Sequence, residues 1–206
     1  MSGLPKSVAV QSEPPFRILG ISGSLRAGSY NTALLRVARR LAPEGVELHL
    51  YQGLGEIPLY NEDVRARGEP EPVRRLRRAI LEADAVLIAT PEYNWSVPGV
   101  LQNAIDWVSR PAGQSAFRGK PVAIMGASTS IAGTLRAQLQ LRQVLRSIDA
   151  LALPKPEVIV AQASTKFDQE GDLTDETARQ LISALLSGLV AWARRLNPER
   201  TLVESR

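Results

Sequence analysis

Not one cysteine occurs among the 206 residues, and His49 is the single histidine. The first absence removes disulfides, Cys-ligated zinc, thiol nucleophiles and dithiol redox chemistry together. It also removes the cysteine-phosphatase reading of any phosphate-binding loop. The second argues against a histidine metal cluster or a Ser-His-Asp triad. If redox chemistry occurs here, a bound cofactor has to carry it. Lysine is scarce: only positions 6, 120, 155 and 166 among 25 basic residues, so arginine carries the net charge of +4. Those arginines are scattered over outer helix faces rather than gathered with aromatics, which argues against a nucleic-acid surface. Long apolar runs are missing as well, and none approaches the ~18 residues that a membrane span needs. Residues 1–15 lack the basic start and apolar core of a secretory signal. With Pro5, Pro14, Pro15, Gly3 and three serines, they read as a loosely held extension ahead of one domain, residues 16–206. We expect a cytoplasmic protein.

What is present is a repeated alternation of strand and helix, and 44% of the residues are hydrophobic, enough for a large core. Strands are predicted at Phe16–Ile21, Val46–Tyr51, Ala85–Ala89 and Lys120–Met125, with an interrupted fifth between Ala150 and Val160. The run Ala85-Val86-Leu87-Ile88-Ala89 is short, continuous and β-branched, the pattern of a strand buried on both faces. Helices are predicted after each strand: one carrying Leu34 to Leu41 with Ser29 as N-cap, then Glu71–Ala83, Val100–Val108, Thr134–Ile148 and Thr174–Leu196. Thr174 and Thr177 are spaced around a capping start for the last. Residues 52–70 form an unusually long connection, which suggests function or a lid. Strands alternating with helices imply a parallel sheet with right-handed crossovers. Five such units suit a flavodoxin-like α/β domain, a three-layer sandwich with strand order 2-1-3-4-5. In that order strands 1, 3 and 4 are neighbours, and these are the strands followed by loops rich in Ser, Gly, Asn and Pro.

The first of those loops, Ser22-Gly23-Ser24-Leu25-Arg26-Ala27-Gly28-Ser29, precedes a helix N-terminus. Small residues let backbone N–H groups close on an anion there, and the helix dipole favours negative charge. Arg26 adds a forked cation suited to phosphate. Two other phosphate motifs fail. No Gly-Lys-Ser/Thr ends the loop, and Gly20, Gly23 and Gly28 lack the G-x-G-x-x-G spacing. No acidic residue closes the second strand to hold a ribose, since Tyr51-Gln52-Gly53 stands there. One terminal phosphate without adenosine, as in flavin mononucleotide, suits the loop better than FAD or NAD.

The stretch Pro91-Glu92-Tyr93-Asn94-Trp95-Ser96-Val97-Pro98-Gly99 resembles the PEYN-x-S-x-P-G signature of the NAD(P)H-dependent FMN reductases, a flavodoxin-like family of quinone and chromate reductase type. Residues 23–31 are similar to that family's Gly-Ser-x-Arg-x-Gly-Ser-x-Asn loop, and Ile57-Pro58-Leu59-Tyr60 and Asn103-Ala104-Ile105-Asp106-Trp107 to two further motifs. The resemblance runs from about Phe16 to Val160. It implies that Ser24, Arg26, Ser29 and Asn31 hold the FMN phosphate. It implies too that Pro91, Glu92, Tyr93 and Asn94 hold the isoalloxazine edge largely through backbone, with Ser128 near the flavin. Hydride from NADPH or NADH would pass through the flavin to a quinone, free flavin, azo dye or metal oxyanion by a ping-pong mechanism, with no catalytic side chain. A flavodoxin-type electron carrier and a redox-inactive nucleotide-binding module are the alternatives.

Other residues take plainer expectations. Tyr93 and Trp95 are placed to stack near flavin or substrate, and Glu92 to make a backbone contact or serve structure. Asp106 and Trp107 are expected to pack or to pair at a subunit interface, with Trp107 and Val108 joining a homo-oligomer, dimer or tetramer. His49 reads as structural or superficial. Leu181, Leu185, Leu189 and Trp192 read as core, and Arg74-Arg75 and Arg77-Arg78 as a solvated helix face.

Overall fold

The computed structural model describes residues 14–197, so the extension lies outside the described residues except for Pro14 and Pro15. Parallel strands β1 (Phe16–Ser22), β2 (Val46–Leu50), β3 (Ala85–Ala89) and β4 (Pro121–Ala127) lie in the order β2-β1-β3-β4, and β5 (Leu151–Ala152) follows β4. This is the flavodoxin-like order that the sequence predicts. The fifth strand is interrupted, as the sequence predicts. After β5 the chain passes Pro154 and Pro156, and a separate β6 (Val158–Val160) pairs with the far end of β4. Proline has no N–H for the ladder, so the two prolines divide the pairing.

Side-chain alternation builds two cores from the one sheet. Ile18, Leu87, Ala123 and Met125 point to the layer formed by α1 (Tyr30–Arg40) and α6 (Glu176–Leu196). Leu19, Ile21, Val86, Ile88, Val122 and Ile124 point the other way, toward α3 (Glu71–Glu82), α4 (Gly99–Val108) and α5 (Leu135–Ser147). Every residue of β3 and β4 is buried, because helices cover both faces. Each fully buried Leu or Ile contributes about 1.5–3 kcal/mol relative to an exposed one.

Several expectations are corrected. The long connection contains a 3-10 turn (Leu54–Glu56) and a short helix, α2 (Glu62–Ala66), which make six α-helices among the described residues. Asp175 caps α6, not Thr174 or Thr177. Its carboxylate accepts from the Ala178 N–H at 2.7 Å, and that bond holds its pKa below the usual range. Leu181 is exposed, and Ile182 takes the core position beside Leu185 and Leu189. Arg77 is not solvated like its neighbours. It pairs with Glu69 and also donates to the carbonyls of Trp107, Val108 and Arg110. It thus satisfies the open carbonyls at the end of α4. Trp107 is 0% exposed, Val108 likewise, so neither reaches a partner subunit. Trp107 Nε1 instead donates to Pro58 O at 2.8 Å, and Asn103 bonds both Pro58 O and the Tyr60 N–H. These three bonds fasten the 57–60 segment along α4. His49 is exposed and hydrogen-bonds Glu47 on the edge strand β2, as a superficial histidine.

Candidate functional site

The loops after β1, β3 and β4 leave the same end of the sheet, and the backbone draws them together. Gly23 N–H bonds Ala89 O at 2.8 Å, which extends the β1–β3 pairing into both loops. A Cβ at Gly23 would lie 3.1 Å from Pro91 Cδ and 3.2 Å from Leu101 Cδ2, so the loop after β1 presses directly on the loop after β3. The Ser24 and Tyr93 hydroxyls approach to 3.4 Å across the same gap. Thr90 N–H bonds Met125 O, and Ser128 N–H bonds Val160 O, which join β3 to β4 and β4 to β6 at this rim. Ser128 Oγ turns into its own loop, where it donates to Ser130 Oγ and accepts from the Ser130 N–H.

At the α1 entrance, Ser29 caps the helix, accepting from the N–H groups of Asn31 and Thr32. No acidic residue stands in the first turn of α1. Among the described residues none accepts from the N–H groups of Ala27, Gly28 or Tyr30, and Arg26 forms no ion pair there. Arg26 rests loosely over the Tyr30 ring at 5.9 Å. The unpaired groups there are therefore backbone N–H donors, one guanidinium and a positive helix end, which fits a phosphate dianion. Asn31 is the exception among the predicted phosphate residues. Its buried amide accepts from Ala127 N and donates to Ala127 O, both at 2.9 Å. That side chain is committed to joining α1 to β4.

The loop after β3 contains a two-residue hairpin. Tyr93 and Ser96 exchange both backbone bonds, and the residues between, Asn94 and Trp95, have φ of 49° and 64°. This is the mirror-image turn that suits hairpin twist, but it favours Asn and Gly, not Trp. A bulky side chain there is strained by roughly 1–3 kcal/mol. Contacts from α5 hold it. Arg136 stacks over the Trp95 ring at 4.5 Å, Gln140 Nε2 donates to Trp95 O, and Ser96 Oγ donates to Gln140 Oε1. Glu92, 5% exposed in its side chain, accepts from Arg136 Nε at 2.7 Å and from the N–H groups of Arg136 and Ala137. Arg136 and Gln140 lie in a helix the sequence predicts, yet no motif marks them. Spacing of i, i+4 was the single available hint that they share a face.

A concavity of about 1020 Å³ opens at the opposite end of the sheet, beside Lys120, and not at the three-loop rim. There Lys120 Nζ donates to Ala83 O at 2.5 Å, and burial lowers its pKa. In parallel α/β sheets ligands bind at the carboxyl ends of the strands, so the three-loop rim is the candidate site.

A flavodoxin-like sheet with an anion cradle after β1 defines a class of phosphate-anchored, nucleotide-type cofactor proteins. Residues 16–165 match the model of the family described as NADPH-dependent FMN reductase. The NAD(P)H-dependent FMN reductase of Pseudomonas aeruginosa is 54% identical over 180 residues, 87% of this chain and 96% of the relative. A quinone reductase of Pseudomonas putida is 41% identical over 179 residues, 87% and 95% of the two chains. Among solved structures, the flavoenzyme NAD(P)H:(acceptor) oxidoreductase FerB of Paracoccus denitrificans superposes with a TM-score of 0.78 at 37% identity, covering 87% of this chain and 97% of FerB. The chain belongs to the NADPH-dependent FMN reductase family. It is an oxidoreductase whose cofactor is FMN and whose reductant is a reduced nicotinamide dinucleotide.

Proposed function

We propose that this protein reduces quinones, with free flavins, azo dyes and metal oxyanions as further acceptors, by a ping-pong mechanism. The observation that carries the reading is the convergence of the unpaired donors at α1 with the hairpin after β3 on one open rim. In this reading Ser24, Arg26, Ser29 and the first amides of α1 hold the FMN phosphate. Asn31 supports them through Ala127 rather than by direct contact. The backbone of Pro91, Glu92, Tyr93 and Asn94 borders the isoalloxazine, with Ser128 beyond it. FMN, when bound, supplies hydride acceptance and delivery. The chain's own part is to bind, orient and shield it. Relatives named quinone reductase at 38–41% identity support the acceptor class. The net charge of +4 speaks against a flavodoxin-type carrier that docks on basic surfaces. A cytoplasmic location, where reduced nicotinamide dinucleotide is at hand, belongs to the same reading.

One open rim serves both substrates in turn, so reciprocal plots at several quinone concentrations should be parallel. Tyr93→Phe keeps the ring and loses only a long 3.4 Å contact to Ser24. It should cost less than about tenfold in turnover, under ~1.4 kcal/mol of barrier. Intersecting plots, or a thousandfold loss with flavin content intact, would show a different mechanism or a true acid–base tyrosine.

The protein is also read as a homo-oligomer, a dimer at least. Burial of Trp107 and Val108 moves the expected interface away from that end of α4. Trp95, Ile131, Leu135 and Leu139 instead give the hairpin and the start of α5 an exposed apolar cluster of the kind that association covers. Light scattering should give a multiple of the 22.4 kDa chain mass, and a monomer mass would reject the assignment.

A further inference from the structure

We propose that Glu92 is the positioning residue of the flavin-edge loop, acting by filling the N-terminus of α5 with its carboxylate; this rests on the placement of FMN given above. Helices α1 and α5 both start at the rim where the loops converge. Each therefore offers an anion its unpaired N–H groups and positive end. They are treated oppositely. The start of α1 has no acidic residue. At the start of α5, Thr134 occupies the cap position but makes no capping bond, because its Oγ1 accepts from Gln138 Nε2 inside the helix. The missing cap comes from another loop. Glu92 Oε2 accepts from Arg136 N at 2.9 Å and Ala137 N at 3.1 Å, while Oε1 pairs with the Arg136 guanidinium at 2.5 Å.

Two consequences follow. The anion site at α5 is already taken, so a phosphate dianion is directed to α1. Glu92 also belongs to the loop that borders the isoalloxazine, so the same bonds fix that backbone against a rigid helix. Among the described residues none accepts from the N–H groups of Glu92 or Asn94, which leaves both amides for the ring edge. Arg136 extends the clamp by stacking on Trp95, the strained tip residue. Because Glu92 acts through backbone position, its loss should be felt by the ring and not by the phosphate.

The test is titration of apoprotein with FMN and with riboflavin, followed by quenching of flavin fluorescence. Glu92→Ala should weaken both ligands by the same factor, about 10- to 100-fold, on the scale of the loss when a residue that orients a metal ligand is removed. Arg26→Ala should weaken FMN alone. Glu92→Gln keeps an oxygen for the two helix amides and loses the ion pair, so it should fold and fall between wild type and Glu92→Ala. Unchanged riboflavin affinity in both Glu92 variants would overturn the proposal. Hydrogen exchange on the wild type decides independently. The Arg136 and Ala137 amides should be protected, whereas exchange at the open rate of an uncapped first turn would remove the clamp. A wild type that binds neither flavin sinks the placement of FMN, and the exchange rates still judge the clamp.

Discussion

Gly126→Ala should lower the melting temperature by roughly 6–12 °C, the equivalent of about 3 kcal/mol in a domain of this size. Gly126 sits near the end of β4, where the strand passes between the loop after β3 and the start of α5. A Cβ there would lie 2.2 Å from Thr134 Oγ1 and 2.4 Å from Thr90 O. The hydroxyl can be removed by substitution, but the carbonyl is backbone, fixed because Thr90 N–H is bonded to Met125 O. Adding Thr134→Ala to the variant should therefore recover only part of the loss. Gly99→Ala is the control. Nothing lies within 4 Å of its Cβ position, and it opens α4, so it should be neutral or stabilising by up to ~1 kcal/mol. Scanning calorimetry of the apoprotein separates the three variants. Equal melting temperatures for Gly126→Ala and wild type would mean that the rim yields where this packing says it cannot.

Arg26→Ala should weaken FMN by roughly 10- to 150-fold, since a hydrogen bond to a charged group is worth about 1.5–3 kcal/mol. Arg26 has no carboxylate partner among the described residues and makes only a loose contact with Tyr30, so moving to a phosphate sacrifices little. Arg26→Lys should restore part of the affinity, because an ammonium supplies charge without the planar fork. The contribution should shrink with added salt, as an exposed charge is screened over about 8–10 Å at physiological ionic strength. Wild-type affinity in Arg26→Ala, measured by titration, would place the guanidinium elsewhere and leave the phosphate to the α1 amides and Ser29.

The two variants probe different kinds of information. The sequence by itself determined the sheet order and the small-residue loops that follow β1, β3 and β4. Buried parallel strands need continuous apolar runs, and Ala85–Ala89 supplies one. A helix start needs a cap, and Ser29 is a local one, legible because cap and amides are neighbours in the chain. The division of the fifth strand was legible from its prolines, though not that both halves pair with β4. Tertiary structure alone decided which polar side chains remain free for a ligand. Asn31 and Ala127 are 96 residues apart, Glu92 and Arg136 are 44 apart, and Arg77 reaches carbonyls more than 30 residues away. No period or propensity links such pairs. Trp107 illustrates the same division: its helix was predictable, but its direction was set by Pro58 O, a carbonyl that needed a donor and found the indole. Local rules fix where a backbone turns and which face is apolar. The satisfaction of each buried donor and acceptor is a property of the packed whole.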